Sequence, residues 1–213
     1  LLDKKFNSNV QCFGLNVGCT GFVDALVLAY SGIASKLYKK VLIVTADTYS
    51  KFIQEQDQST RPLFSDGASA TLIEFDEDGY ILQDYVSTSV PDTLHHLCMM
   101  KDKNLKDYIH MNGPNILTFA VGKVLPGLTK IINPDLEYTF YPHQAGKLVL
   151  DTFEKKLSSN ISMKKNYSDF GNLVSGSIPN LIHDSCPDLN LQKNIILSGF
   201  GVGLAHTSLI FKK

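Results

Sequence analysis

Short apolar segments alternate with longer amphipathic ones along most of this chain of 213 residues. Residues 10–17 have the pattern of a β-strand, and residues 20–37 place apolar side chains along one helical stripe. The run Val41-Leu42-Ile43-Val44-Thr45-Ala46 follows, and its composition is typical of a strand that is buried on both faces of a parallel sheet. This alternation predicts an α/β fold.

The second half of the chain continues the same rhythm, which predicts two related α/β halves. Residues 87–107 look irregular, so we place the junction there, with one half at 1–107 and the other at 108–213. Further strands are predicted at 70–75, 80–86, 136–141, 195–197 and 205–211, and further helices at 115–132, 145–157 and 175–184.

Composition and charge exclude several classes of protein. With 20 basic and 21 acidic side chains, the net charge of −1 gives no reason to expect a nucleic acid or an anionic membrane as a partner. No apolar run approaches the roughly 20 residues of a transmembrane helix. The four cysteines are irregularly spaced, which favours reduced thiols and a cytoplasmic protein. The chain begins without a methionine or a signal-like segment, so we expect it to be the remainder of a longer protein.

Three polar residues stand at the ends of predicted strands or in the loops that follow them, where sites assemble in α/β folds. They are Cys19, His143 and Asn172. Cys19 lies where a strand pattern changes to a helical one, and the N-terminus of a helix favours the nucleophilic thiolate. An imidazole can exchange protons near neutral pH, and an amide donates hydrogen bonds without titrating. Considered singly, each residue also has a purely structural interpretation as a buried thiol, a strand-end histidine or a turn asparagine.

Two other motifs suggest sites that the rest of the sequence does not support. Residues 199–203 resemble a dinucleotide-binding loop, but no helix follows them before the chain ends. His95, His96 and Cys98 suggest a metal, but no second pair of ligands occurs at a useful spacing, so we expect no metal site.

Five local sequences together resemble the β-ketoacyl-acyl carrier protein synthase III family, in the family's order and over essentially the whole chain. Asn16-Val17-Gly18-Cys19-Thr20-Gly21-Phe22 resembles the nucleophile segment of that family, and Phe64-Ser65-Asp66-Gly67-Ala68 resembles its aspartate–glycine turn. Pro142-His143-Gln144-Ala145 resembles its histidine motif, and Phe170-Gly171-Asn172 resembles its asparagine motif. Gly199-Phe200-Gly201-Val202-Gly203 resembles its C-terminal glycine loop.

The resemblance implies a thiolase-like fold of two pseudo-repeated α/β halves in five layers, with the first part of the N-terminal half absent. It implies a homodimer in which the strand at 10–17 pairs with its twin. Cys19 would accept the acyl group, and His143 and Asn172 would stabilise the enolate of a decarboxylating malonyl group. The oxyanion hole would consist of the Cys19 N–H and the loop Gly201, Val202 and Gly203, above all Val202. Acyl-coenzyme A or acyl carrier protein thioesters would be substrates, and no cofactor would be needed.

Some positions depart from the family pattern and concern substrate binding. Gln58 stands where many members have an arginine, with Arg61 three residues later, and Phe170 replaces the usual histidine. With Phe64, these residues are the expected substrate contacts. Two alternatives stay open at this point: transfer of the acyl group to a hydroxyl or amine without condensation, and a non-catalytic partner subunit.

Overall fold

The computed structural model describes residues 10–185 and 191–213 of the chain, so Cys186 lies outside the described residues. The strands are β1 Lys40–Asp47, β2 Gly67–Glu74, β3 Ile81–Ser89, β4 Leu97–Lys101, β5 Asp107–Met111, β6 Tyr138–Pro142, β7 Ile161–Met163, β8 Asn194–Gly201 and β9 Ala205–Lys212. The helices are α1 Gly21–Ala34, α2 Gly113–Phe119, α3 Leu125–Ile131, α4 Lys147–Lys156, α5 Tyr167–Phe170 and α6 Ser177–Ser185. None of the helices in these ranges is long and apolar enough to cross a bilayer.

The strands within the described ranges form three sheets. A five-stranded mixed sheet has the order β3-β9-β8-β6-β7, in which β6 runs parallel to β7 and β8 while β9 runs antiparallel to β8 and β3. β1 pairs with β2, and β4 pairs with β5, both antiparallel. The division of the chain after residue 107 stays a prediction. β3, which precedes that point, pairs with the last strand of the chain.

Two apolar clusters cover the two faces of the five-stranded sheet. Ile196 points into a cluster with α2, α3 and α4, whereas its neighbours Ile195 and Leu197 point into a cluster with α1 and α6. Successive side chains of a strand face opposite sides, so β8 contributes to both clusters and is buried along nearly its whole length. α1 is therefore held firmly beside the C-terminal end of β8, where the candidate site lies.

Residues 10–17, predicted to be a strand, form no regular element within the single described chain. A strand exists only through hydrogen bonds to a neighbour, and none of the described strands pairs with this segment. Its apolar side chains are correspondingly open, and Phe13 is 65% exposed.

The apolar run at 41–46 does form a strand, β1, but its predicted parallel, doubly buried setting is wrong. Among the described strands, β1 pairs only with β2, antiparallel, and Leu42 and Val44 on its outer face are 45% and 47% exposed. The β-branched composition predicts an extended backbone. Which strand pairs with it, and what covers it, depends on distant parts of the chain.

The other predicted elements lie close to their expected bounds, with two differences. Part of the stretch expected to be irregular, residues 87–107, forms the hairpin of β4 and β5. The helix expected at 115–132 is divided by a π-helical turn, Ala120–Val124. Pro126 has no N–H to donate to the carbonyl of Gly122, four residues earlier, so the hydrogen-bond ladder shifts by one residue there.

Candidate active site

Cys19 lies in a short 3₁₀ turn, Gly18–Thr20, that leads directly into α1, and its side chain is 4% exposed. The turn requires Gly18, whose φ of 59° is in the left-handed region. The Thr20 hydroxyl donates to the carbonyl of Val17 over 3.1 Å and also contacts the Asp24 carboxylate. Local sequence therefore fixes the thiol at the beginning of the helix, as expected.

The end of β8 and the loop after it pass directly against Cys19. A Cβ placed on Gly201 would lie 2.9 Å from Cys19 Sγ, and one placed on Gly199 would lie 2.8 Å from the Cα of Thr20. Only glycine permits so close an approach of two backbones. The Val202 N–H consequently lies within hydrogen-bonding reach of the sulfur, as does the N–H of Cys19 itself.

The expectation that the helix start favours the thiolate is outweighed in this structure. Burial raises the pKa of the Cys19 thiol to about 12, and the negative charge of Asp47 adds to the shift. The hydrogen bonds from the Val202 and Cys19 backbones lower the pKa, but by less. Before reaction the side chain is therefore a neutral thiol with two N–H groups directed at it.

His143 directly follows β6 and is fixed by the neighbouring strand, because its N–H donates to the Ser198 carbonyl of β8 over 2.8 Å. The ring packs edge-on against Phe200, with centroids 5.4 Å apart, and the residue is 1% exposed. Burial lowers the pKa of His143 to about 3, against an opposing hydrogen bond with the Val174 backbone. The imidazole is neutral near pH 7 and can accept a proton or donate one hydrogen bond.

Asn172 is held in place by the chain that precedes β2. Its N–H donates to the Leu63 carbonyl over 2.8 Å, and its carbonyl accepts from the Ser65 N–H over 3.0 Å. Its side-chain Oδ1 accepts from the Val174 N–H over 2.9 Å. A backbone N–H can only donate, which establishes that this atom is the oxygen and leaves Nδ2 as the donor of the amide.

Val174 connects the three candidate residues. Its side chain belongs to the same buried apolar cluster as Cys19 and Phe64. Its backbone bonds both to the Asn172 side chain and to the His143 imidazole. The fold thus brings Cys19, His143 and Asn172 to one place, although 153 residues separate the first from the last along the chain.

An apolar wall surrounds the thiol, and most of it was not predicted. Phe64, an expected substrate contact, is 8% exposed and packs beside Cys19. Tyr49, Ile53 and Met111 also pack against this cluster, and the Tyr49 ring lies 5.2 Å from that of Phe64. Burial, with the nearby Cys19 and Asp47, raises the pKa of Tyr49 well above its ordinary value. No local motif marks these wall residues: Tyr49 begins a short 3₁₀ turn, Ile53 follows that turn, and Met111 ends β5.

The remaining expected substrate contacts lie at the surface rather than in this wall. Gln58 and Arg61 are exposed in the loop that carries Asp57, and Arg61 Nη1 donates to the Glu55 carbonyl over 3.2 Å. Phe170 ends the short helix α5 and is 38% exposed.

The arrangement suits reactions that place negative charge on a carbonyl oxygen. Two N–H groups are directed at a buried thiol, and a neutral imidazole and an amide are connected to it through Val174. Such donors stabilise developing charge strongly in a water-poor site. Among the described residues, no group of three or more histidine, cysteine, aspartate or glutamate side chains is arranged to hold a metal ion.

Comparison with known proteins gives matches over both parts of the chain. The family model described as 3-oxoacyl-[acyl-carrier-protein] synthase III matches residues 13–89, and the model of its C-terminal part matches residues 133–213. A β-ketoacyl-[acyl-carrier-protein] synthase III of Streptococcus equi subsp. equi is 33% identical over 225 residues, which cover 96% of this chain and 69% of that protein.

Solved structures give the same result. A 3-oxoacyl-[acyl-carrier-protein] synthase III from Aquifex aeolicus superimposes with a TM-score of 0.84 at 25% identity, over 96% of this chain and 68% of that one. The enzyme from Pseudomonas aeruginosa superimposes with a TM-score of 0.82 at 27% identity, over 94% of this chain and 66% of that one. The expected thiolase-like α/β fold is confirmed. The chain belongs to the 3-oxoacyl-[acyl-carrier-protein] synthase III family of condensing acyltransferases.

Proposed function

We propose that this protein forms an acyl thioester on Cys19 and condenses the acyl group with a malonyl thioester. The observation that carries the proposal is the convergence on one buried thiol of the Val202 and Cys19 N–H groups, with His143 and Asn172 joined to it through Val174. Family membership gives the reaction class its independent support.

In the first step, the Cys19 sulfur attacks the carbonyl carbon of an acyl thioester. The new carbon–sulfur bond replaces the bond to the donor thiol, which leaves and takes up the proton that Cys19 loses. The oxygen of the tetrahedral intermediate carries the negative charge, and the N–H groups of Cys19 and Val202 stabilise it as the oxyanion hole. The loop of Gly201, Val202 and Gly203 keeps these donors in place.

In the second step, a malonyl thioester loses CO₂, and the electrons of the broken carbon–carbon bond form an enolate. His143 and Asn172 donate hydrogen bonds to the enolate oxygen. The enolate carbon then attacks the acyl carbonyl, the bond to Cys19 breaks, and the thiol recovers a proton. The neutral imidazole of His143 has a single N–H, so in this step that N–H donates to the enolate oxygen instead of to the Val174 carbonyl, and it brings no charge that would have to be neutralised.

The proposed acyl and malonyl donors are thioesters of coenzyme A or of an acyl carrier protein. No further cofactor is proposed, because thiol, imidazole, amide and backbone N–H groups supply every step. We expect Arg61 to help hold an anionic group of the carrier, because its side chain is exposed and it lies three residues before Phe64.

Intact mass spectrometry of the protein with acyl-coenzyme A and acyl carrier protein donors tests the first step. We expect one acyl adduct that Cys19→Ala abolishes and that Cys12→Ala, at an exposed free cysteine, leaves unchanged. An adduct that survives Cys19→Ala contradicts the proposal.

Release of CO₂ from a malonyl thioester tests the second step. We expect His143→Ala and Asn172→Ala to keep the acyl adduct but to lose about 10²–10³-fold in decarboxylation, the usual effect of removing one such donor. Acylation without decarboxylation, followed by transfer to an added alcohol or amine, would instead support non-condensing acyl transfer.

We also infer that the protein is a homodimer in which residues 10–17 of two copies pair. The segment exposes Val10, Phe13 and Leu15 and has no partner strand among the described residues. Light scattering should give a dimer, and Phe13→Glu should weaken it because it would bury an unpaired charge. A monomeric wild-type protein contradicts this inference.

A cytoplasmic location completes the proposal. The three described cysteines, Cys12, Cys19 and Cys98, are free, as expected in a reducing compartment. Detection of the protein outside the cytoplasm by cell fractionation would oppose it.

A further inference from the structure

Val174 has a backbone conformation that its side chain disfavours. Its φ of 54° is in the left-handed region, where a β-branched residue is a genuine outlier. The other described non-glycine residues with positive φ, Lys36, Asp92 and Leu105, are exposed, whereas Val174 is 1% exposed. Strain of this kind persists only where the surroundings enforce it, and it concentrates at functional sites.

Hydrogen bonds on both sides of Val174 hold the turn. The Leu173 N–H donates to the Ser177 hydroxyl over 3.1 Å. The Ser175 N–H donates to the Asp47 carboxylate over 3.1 Å, and the Ser175 hydroxyl donates to the same oxygen. The backbone direction is therefore set before and after the strained residue, which leaves its side chain to pack against Cys19 and Phe64.

The conformation has a consequence for two of the candidate catalytic side chains. The Val174 N–H donates to Asn172 Oδ1, so its carbonyl is the backbone atom available to the His143 imidazole. A change of φ at this residue would reorient the N–H relative to Asn172 and move the packing beside the thiol.

We propose that Val174 is a positioning residue: the packing of its side chain beside Cys19, together with the flanking hydrogen bonds, holds the turn left-handed, and the left-handed turn orients Asn172 and His143. This inference rests on the proposed function and adds to it a residue that acts through the amide and the imidazole. Without the side chain, the turn keeps its shape only if the new residue tolerates positive φ.

The substitutions Val174→Gly and Val174→Ala test this directly. Both remove the packing methyl groups, but glycine adopts positive φ freely whereas alanine does not. We expect Val174→Gly to unfold at a higher temperature than Val174→Ala. Leu173, with φ of −90°, provides the matched control, and there alanine should be the more stable of the pair.

Decarboxylation kinetics supply a readout that a merely structural residue would not move. Since small misplacements of catalytic groups can cost about 10²-fold, we expect kcat of Val174→Ala to fall at least about tenfold below that of Val174→Gly, with KM little changed. An alanine variant that equals or exceeds the glycine variant in both measurements overturns the inference. A wild-type protein that releases no CO₂ refutes the proposed function instead, and the order of unfolding temperatures then still decides whether Val174 is strained.

Discussion

At the scale of single residues, the reactivity of Cys19 is a balance of opposing influences. Burial and the Asp47 carboxylate disfavour the thiolate, whereas two backbone N–H groups favour it. The same N–H groups would serve the thioester oxygen once an acyl group is bound. Under the proposed function, the site stabilises charge that develops during reaction rather than charge on the resting sulfur.

Asp47→Asn should lower the pKa of the Cys19 thiol, because it removes a nearby negative charge and keeps an acceptor for Ser175. More thiolate would then be present at pH 7, and alkylation by iodoacetamide should accelerate about three- to tenfold. The rate is measured by mass spectrometry over a range of pH.

Asp66→Asn is the matched control for this experiment, because Asp66 is an exposed carboxylate bound by Ser50 and does not contribute to the Cys19 pKa. It should leave the alkylation rate unchanged. Equal acceleration in both variants would show that the effect comes from net charge and would contradict the role of Asp47.

At the scale of elements, the site depends on how closely the end of β8 approaches the start of α1. Gly199 and Gly201 are the residues that allow this contact, since a Cβ at either would lie within 3.0 Å of Thr20 or Cys19 atoms. The N–H of Val202 reaches the sulfur only because the two backbones meet.

Gly201→Ala should separate the strand end from the thiol and remove the Val202 donor from the proposed oxyanion hole. We expect acylation of Cys19 to fall by about 10²-fold or more. The acylation rate is followed by intact mass spectrometry, and thermal unfolding confirms that the variant is folded.

Gly122→Ala is the matched control, because a Cβ at Gly122 meets no atom within 4 Å and the residue is helical. It should preserve acylation and leave stability equal or raised by up to about 1 kcal/mol. Full acylation by Gly201→Ala would show that the close approach is not needed for the reaction.

At the scale of the whole molecule, the core keeps two histidines neutral. Burial lowers the pKa of His143 to about 3 and that of His206 to about 4, from an ordinary value of 6.5. Between these values and 6.5 the unfolded chain binds protons that the folded chain does not. The contribution of these two histidines to the free energy of unfolding is therefore fully present above pH 6.5, and it is lost as the pH falls from 6.5 towards their folded-state pKa values.

Each histidine should contribute a loss of about 1.4 kcal/mol in unfolding free energy per pH unit below 6.5. His206→Gln should remove one such contribution and flatten the slope between about pH 6 and 5, where most carboxylates are still ionised. Urea unfolding at a series of pH values measures the slope.

His95→Gln, at an exposed histidine, is the control and should leave the slope as in the wild type. An unchanged slope in His206→Gln would mean that this imidazole is not kept neutral in the folded protein. The network of His206 Nε2, Ser208 and Ser198, with contacts of 2.6 Å and 2.7 Å, would then have to be explained by a charged ring.

Sequence alone determined most of the helices and strands and the places where Cys19, His143 and Asn172 stand on them, because periodicity, turn residues and strand ends are local properties. Gly18 and Gly201 are also visible in the local sequence, within the motifs that contain Cys19 and Val202. The family motifs added the roles that we propose for these residues, and the matches over both parts of the chain confirmed the family.

Only the tertiary structure decided the partner of β1, the lack of a strand at 10–17, and the wall built by Tyr49, Ile53 and Met111. It also reversed the expected direction of the Cys19 pKa shift. These features depend on burial and on contacts between residues far apart along the chain. A helix start favours the thiolate in any sequence, but the larger cost of desolvating that charge exists only once the fold has closed around it.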